Sequence, residues 1–204
     1  MLQDKNIGFA VTGSFCTFSK ILPVMEQLSV RNRVTPILSE HSAELDTRFF
    51  QAADFRRRAE EICGTKALTT IQEAEPIGPK KMFDLLILAP ASGNTLAKIN
   101  HGIVDGTVPM AVKSHIRNER PVIVALSTND ALGAAAPNIG ALLNRRNFWF
   151  VPYGQDDWQK KPRSMVAHFD LIEVTAERAL EGIQIQPMIR PHQALPCKPD
   201  GCMV

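Results

Sequence analysis

The chain has 204 residues, of which 45% are hydrophobic and 22% are charged. These fractions match those of soluble globular domains, so they exclude a disordered or low-complexity protein, and the length suits one domain with a sizeable core. Lys and Arg number 23 against 21 Asp and Glu, with no basic stripe that could follow a phosphate backbone. Nucleic acid is therefore not an expected partner.

No apolar run reaches the roughly 20 residues needed to cross a bilayer, and no basic region precedes a long apolar one at the N-terminus, so we expect a cytoplasmic protein. The four cysteines, Cys16, Cys63, Cys197 and Cys202, are too few and too scattered for a disulfide framework. Cys197 and Cys202 follow His192 with a spacing that fits no common zinc motif. We expect no metal site.

Short apolar runs alternate with longer segments of helical periodicity, which is typical of a doubly wound α/β protein with a parallel sheet. The predicted strands are residues 6–11, 34–38, 83–89, 121–127 and 148–151, with a short extra strand at 67–71. The predicted helices are residues 15–30, 43–63, 94–100, 110–118, 131–147 and 164–182.

The last part of the chain reads "QIQPMIRPHQALPCKPDGCMV", which contains four prolines and little periodicity. Such composition is typical of an extended or disordered segment. We therefore expect one α/β domain over residues 1–185 and a proline-rich tail over residues 186–204.

Polar residues follow the first two predicted strands. In open α/β sheets, ligands bind beyond the carboxyl ends of the strands. Thr12, Gly13 and Ser14 open a helix there, whose N-terminal amides favour an anion, and Ser39 brings a second hydroxyl to the same edge. This outlines a phosphate site, although "TGS" by itself is better explained as an ordinary tight turn with Ser14 as the helix cap. His41, at a helix start, is more typical of a surface or capping residue.

The third predicted strand runs into "APASGNT". Pro90 cannot donate to a sheet ladder, so we expect it to end the strand, after which three small residues, 91–93, let a flat ligand approach the backbone. Asn94 and Thr95 then offer an amide and a hydroxyl. A helix cap at Ser92 or Asn94 accounts for one polar residue and leaves the others unexplained.

"PASGNT" resembles the Pro-Ala-Ser-Ala-Asn-Thr motif of the homo-oligomeric flavin-containing cysteine decarboxylases. "AKINHGIVDGTVPMAV" is similar to the segment that follows in that family, and "TGSF" and "ILSE" stand where the family has its phosphate-binding turn and second-strand hydroxyl. The similarity covers roughly residues 5–182. The order of several motifs, more than any one of them, makes it specific.

The resemblance implies a three-layer, Rossmann-like (flavodoxin-like) fold and FMN in a groove that neighbouring subunits help to form, within a homo-oligomer built from trimers. It also implies roles for individual residues. Gly13, Ser14 and Ser39 would bind the phosphate, and Ala91, Ser92, Asn94 and Thr95 would line the flavin ring or a substrate carboxylate.

Two departures from the decarboxylase pattern bear on the reaction. The histidine expected before the third long strand is absent from "ALTTIQEAEPIGPKK", and of the Pro-x-Met-Asn-x-x-Met-Trp signature only Asn129 clearly survives in "LSTNDALGAAAPNIGALL". His101 and His115 lie elsewhere, and we expect both on helix surfaces. The flavin prenyltransferases, a second related group, carry Lys where this chain has Asn94, so they match less well.

Within the family, "NIGFAVTGSFCTF", "APASGNTLAKINHGIVD" and "LSTNDALGAAAPNIG" are similar to an oxidoreductase subunit of endospore-forming bacteria. That enzyme oxidises a dihydropyridine dicarboxylate, beside a partner subunit that resembles a nicotinamide-binding dehydrogenase. The missing decarboxylase histidine agrees with a product that keeps both carboxylates. The resemblance thus favours a redox function.

For such a substrate we expect Asn94, Ser127, Thr128 and Asn129 to hydrogen-bond a carboxylate, and we identify no catalytic acid or base. The acceptor of the hydride is either FMN on this chain or a nicotinamide on the partner. Two alternatives stay open: an FMN-dependent decarboxylase of a cysteinyl carboxylate, and a non-catalytic scaffold subunit that has lost flavin binding.

Overall fold

A computed structural model describes residues 2–192 and contains a mixed, mostly parallel sheet. Its strands are β1 (Asn6–Val11), β2 (Arg33–Leu38), β3 (Leu85–Ala91), β4 (Val122–Thr128), β5 (Phe148–Phe150), β6 (Tyr153–Gly154) and β7 (Met165–Ala167). The parallel strands lie in the order β2-β1-β3-β4-β5, and β7 and β6 extend the sheet antiparallel beyond the carboxyl half of β4. This is the flavodoxin-like order, so the predicted fold class is confirmed.

Helices cover both faces of the sheet. They are α1 (Phe18–Ser29), α2 (Glu40–Glu44), α3 (Ala52–Cys63), α4 (Ile71–Ala74), α5 (Gly93–His101), α6 (Thr107–Ile116), α7 (Ala136–Leu143) and α8 (Ile172–Leu180). α1 and α8 share one face, where Gln27 donates to Glu173 at 2.7 Å, and α5, α6 and α7 pack together on the other. β3 is buried along its whole length between these layers, as expected for a central parallel strand.

β3 ends later than the sequence predicts. It passes through Pro90 to Ala91, and its register with β4 shifts between Leu88 and Ala91. The proline therefore sits at an irregularity of the ladder, where its missing N–H is tolerated, and does not end the strand. The carboxyl end of β3 reaches directly into the polar turn at Ser92.

The predicted extra strand at 67–71 is wrong. Only Leu68 bridges to Ile37, through hydrogen bonds with the backbone of Pro36 and Leu38 at 2.9 Å each. The Thr70 hydroxyl then accepts a hydrogen bond from the Glu73 amide, and the Glu73 carboxylate accepts one from the Thr70 amide. α4 therefore begins shortly after the bridge. This capping box ends the extended segment after a single bridge.

Three predicted helices are shorter than their sequence periodicity suggests. The one predicted at 131–147 spans only Ala136–Leu143, and the other two are broken or partly replaced by other structure. The segment 43–63 is broken into α2 and α3, because the Asp46 carboxylate accepts the Ala52 amide at 2.9 Å and Thr47 pairs with Phe50 in a turn. The helix predicted from residue 164 begins only at Ile172, since residues 165–167 form β7 against β4. In both places a local or tertiary hydrogen bond overrides helical periodicity.

Part of the predicted tail is described, and it runs alongside β6. The Tyr153 amide donates to Met188 at 2.9 Å, and the Arg190 amide donates to Tyr153 at 3.0 Å. Residues 193–204, which include Cys197 and Cys202, lie outside the described residues, and the domain boundary at 185 stays a prediction. Across residues 2–192, no helix combines the length and the apolar character that crossing a membrane requires.

Candidate functional site

The carboxyl ends of β1 and β3 are joined by one buried side chain. Thr12 follows β1 and is only 1% exposed. Its hydroxyl donates to the Pro90 carbonyl at 2.7 Å and accepts the Ser92 amide at 3.0 Å. Because this buried hydroxyl makes both a donated and an accepted hydrogen bond, it holds the turn after β1 at a fixed distance from the start of α5.

A cavity of about 360 Å³ opens at this edge of the sheet. Its volume lies within the roughly 300–1,000 Å³ typical of small-molecule sites. Five of the residues predicted for the cofactor line it: Gly13, Ser39, Ser92, Asn94 and Thr95. The remaining wall is formed by Phe15, Glu40, His41, Leu45, Lys98, Gly106 and Pro109.

The N-terminus of α5 forms a polar wall of the cavity. Ser92 is the helix cap, since its hydroxyl accepts the Thr95 amide at 3.4 Å and lies 3.0 Å from the Thr95 hydroxyl. The amides of Gly93 and Asn94 in the first turn have no partner within the helix, and the helix dipole adds positive potential there. This wall is suited to an anionic group.

Lys98 adds a positive charge to the same wall, and sequence reasoning missed it. It lies one turn after Asn94 in α5 and lines the cavity, and its ammonium is 2.9 Å from Asp105. The spacing of four residues from Asn94 was the available signal, because such residues share a helix face. Asp105 neutralises part of the charge that Lys98 brings.

Three predicted cofactor residues, Ser39, Ser14 and Ala91, differ in how they relate to the cavity wall. Ser39 caps α2, where its hydroxyl accepts the Ser42 amide at 3.3 Å, and it stays in the cavity wall. Ser14 does not cap a helix with its side chain: its hydroxyl donates to the Ser127 carbonyl at 2.5 Å. Ala91 is fully buried in β3 and is not part of the cavity wall.

Glu40 is a cavity residue that the sequence did not reveal. Its Oε1 accepts the Thr107 amide at 2.8 Å and the Thr107 hydroxyl at 3.1 Å. The carboxylate thereby lies at the N-terminus of α6, whose dipole offsets its charge. It also touches Gly106, where a Cβ atom would come within 2.9 Å of Oε2. Because Thr107 is 67 residues away along the chain, no local pattern could predict this contact.

The end of β4 lies against the start of α5. A Cβ atom on Gly93 would come within 2.9 Å of both the Thr128 hydroxyl and the Asp130 carboxylate, so glycine is needed for this approach. Thr128 donates to Asp130, Ser127 is 3% exposed, and Asn129 is exposed. The predicted substrate residues at 94 and 127–129 are therefore neighbours at one edge, with Asn94 and Asn129 the most accessible of them.

One histidine lies differently from the prediction. His115 is buried in α6, only 1% exposed, and its Nε2 is 3.1 Å from the Pro121 carbonyl. Burial lowers its pKa to about 4, so it is neutral near pH 7. It belongs to the core because α6 packs on the sheet with this face inward. His101 is exposed, as expected, at the end of α5.

The Flavoprotein family model matches residues 1–139 of the chain. The chain is 41% identical over 189 residues to the B subunit of dipicolinate synthase from Bacillus subtilis (strain 168), covering 92% of this chain and 94% of that protein. The crystal structure of the corresponding dipicolinate synthase chain from Bacillus halodurans C has a TM-score of 0.84 and 38% identity, and covers 92% of this chain and 97% of that chain. The crystal structure of the FMN-dependent cysteine decarboxylase SpaF, with 20% identity and a TM-score of 0.60 over 85% of this chain and 96% of that one, shares the fold.

Proposed function

We propose that this chain, which belongs to the flavoprotein family, is the B subunit of a dipicolinate synthase. Together with an A subunit it would oxidise dihydrodipicolinate to dipicolinate during sporulation. The observation that carries this proposal is 41% identity over 92% of the chain to a protein of that name, supported by a TM-score of 0.84 to a second one.

The proposed cofactor is FMN, bound at the edge where β1, β2 and β3 end. The residues there fit its phosphate, because hydroxyls, the first-turn amides of α5 and Lys98 converge on one cavity. Thr128 and Asp130 fill the space beside Gly93, so the flavin ring is proposed to lie against Ser92, Asn94 and Thr95, which line the cavity. When bound, a flavin supplies a hydride acceptor, and NADP on the A subunit is the proposed alternative acceptor.

The oxidation removes one hydride and one proton from the dihydropyridine and leaves an aromatic ring. Since aromaticity favours the product, the protein mainly has to orient the substrate and exclude water. Asn94 and Asn129, exposed at neighbouring strand ends, are proposed to donate hydrogen bonds to a substrate carboxylate. Thr128 is a weaker candidate, because its hydroxyl already donates to Asp130.

The decarboxylase alternative has less support. The segment before β3 lacks the histidine of that family, and both close relatives carry the name of a synthase subunit. A scaffold subunit without flavin is favoured by one observation. The Ser14 hydroxyl is bound to the Ser127 carbonyl, so it would have to exchange that partner to reach a phosphate.

Reconstitution of the complete reaction tests the proposal. The full-length chain, the A subunit and dihydrodipicolinate are combined with FMN, with NADP or with both, and dipicolinate is followed by its ultraviolet absorption. We expect product only when both subunits are present, together with a stable complex in size-exclusion chromatography. Equal rates without this chain would contradict a catalytic role, whereas release of carbon dioxide from a cysteinyl peptide would favour the decarboxylase.

A further inference from the structure

Dihydrodipicolinate and dipicolinate are dianions, and the residues predicted to bind their carboxylates are neutral. A carboxylate that leaves water needs charged partners or several hydrogen bonds. At the end of β4 the local charge has the wrong sign, because Asp130 lies beside Thr128 and against Gly93. This edge therefore requires a cation, if the proposed function is correct.

Two lysines near this edge already form ion pairs. Lys98 pairs with Asp105 at 2.9 Å, and Lys161 pairs with Asp156 at 3.3 Å. Each of these side chains would give up an existing partner in order to bind a substrate carboxylate.

Arg163 differs from these two lysines. It precedes β7, which pairs with the end of β4 at Ser127 and Thr128. Its carbonyl accepts the Leu132 amide at 3.0 Å, so its backbone is tied to the loop that follows β4. Its guanidinium lies over the same loop, with Nη1 3.5 Å from where a Cβ atom on Gly133 would be. Arg163 is exposed, and no carboxylate within residues 2–192 forms an ion pair with it.

The loop over which Arg163 lies leads back to the start of α5. Within it the Gly133 and Ala135 amides both donate to the Asp130 carbonyl. At its other end, the Ala135 side chain would be 3.3 Å from a Cβ atom on Gly93. A short, hydrogen-bonded loop thus joins the guanidinium to the edge that holds Asn94 and Asn129.

We propose that Arg163 binds one carboxylate of the substrate through its two-pronged guanidinium and thereby selects a dicarboxylate. This deepens the proposed function, on which it rests. Asn94 and Asn129 would hold the other carboxylate, which lies across the ring nitrogen from the first. An arginine suits this task because its planar donors match both carboxylate oxygens at once.

Titration of the full-length protein with dipicolinate tests this role, with picolinate, which lacks one carboxylate, as the matched ligand. The R163Q variant should bind dipicolinate roughly 10- to 100-fold more weakly, as expected for losing a charged hydrogen-bonding partner. Its affinity for picolinate should change less, so the ratio of dipicolinate affinity to picolinate affinity should decrease. R58Q, which removes an exposed arginine of α3, should bind both ligands like the wild type.

Separate readouts distinguish this inference from the proposed function. FMN binding is measured on each variant, and circular dichroism checks the fold, with R163M used if R163Q does not fold. Wild-type affinity for dipicolinate in R163Q or R163M, at normal FMN binding, would overturn the role of Arg163. If a variant lost affinity for FMN, dipicolinate and picolinate together, the role of Arg163 would be structural. That result would also overturn the proposal that Arg163 binds the substrate carboxylate. Failure of the wild type to bind FMN would count against the proposed function alone.

Discussion

The Thr12 hydroxyl donates a hydrogen bond of 2.7 Å to the carbonyl of Pro90 and so fastens the end of β1 to the end of β3. The same oxygen accepts the Ser92 amide at 3.0 Å, which sets where α5 begins. The two wall segments of the cavity are therefore positioned by a side chain that is itself nearly inaccessible. Ligand binding should depend on Thr12 even though it is outside the cavity wall.

Replacing Thr12 with Val keeps the shape of the side chain and removes both hydrogen bonds. Leaving a buried carbonyl and amide unpaired should cost about 1–3 kcal/mol in the free energy of unfolding, measured in urea. T175V is the control, because the buried Thr175 hydroxyl donates only to the carbonyl of Leu171, the residue that precedes α8. We expect FMN affinity to fall in T12V only; equal FMN affinity in both variants would contradict the proposed coupling.

Ser92→Ala tests the start of α5. Loss of this cap should destabilise the protein by about 0.5–2 kcal/mol. It should also weaken FMN binding, because the first-turn amides lose their fixed orientation. N32A removes hydrogen bonds to the backbone of Lys5 and Leu28 at the opposite, amino edge of the sheet, so it should lose stability and retain FMN affinity. Similar FMN losses in the two variants would indicate general unfolding.

The buried imidazole of His115 should make the free energy of unfolding depend on pH. Burial lowers its pKa in the folded protein to about 4, from about 6.5 when unfolded. Between these values the unfolded chain binds more protons, so the free energy of unfolding falls as the pH falls from 6.5 toward 4. This one group should remove about 2 kcal/mol between pH 8 and pH 5.

Urea unfolding at pH 8 and pH 5 measures that difference. In H115Q the pH-dependent loss should shrink by the same amount, while H101Q, at an exposed position, should keep it. An unchanged pH dependence in H115Q would show that His115 does not become protonated on unfolding.

Much of the fold was readable from the sequence because central parallel strands are continuous apolar runs. β1 was predicted with the bounds it has, and β2 and β4 to within one residue. The break between α2 and α3 was missed because it depends on Asp46 accepting the Ala52 amide. β7 was missed because a strand of three residues exists only through its pairing with β4.

The candidate site was predictable to the extent that it follows strand ends. Gly13, Ser39, Ser92, Asn94 and Thr95 meet in one cavity, as the order of polar turns indicated. The direction of the Ser14 hydroxyl and the contact between Glu40 and Thr107 were not predictable. Both depend on residues far apart in the chain, 113 positions for Ser14 and Ser127, and only the packed sheet brings them together.

Titration with FMN, followed by fluorescence and absorption, tests most directly whether the chain binds FMN at the carboxyl ends of β1 and β3. The wild type should bind FMN, Ser39→Asp, which keeps a helix cap in the cavity wall, should lose it through repulsion of the phosphate, and Ser19→Asp, which places the same charge on an exposed turn of α1, should keep it. No FMN binding by the wild type, or equal binding by S39D, would contradict the flavin site and favour a scaffold subunit.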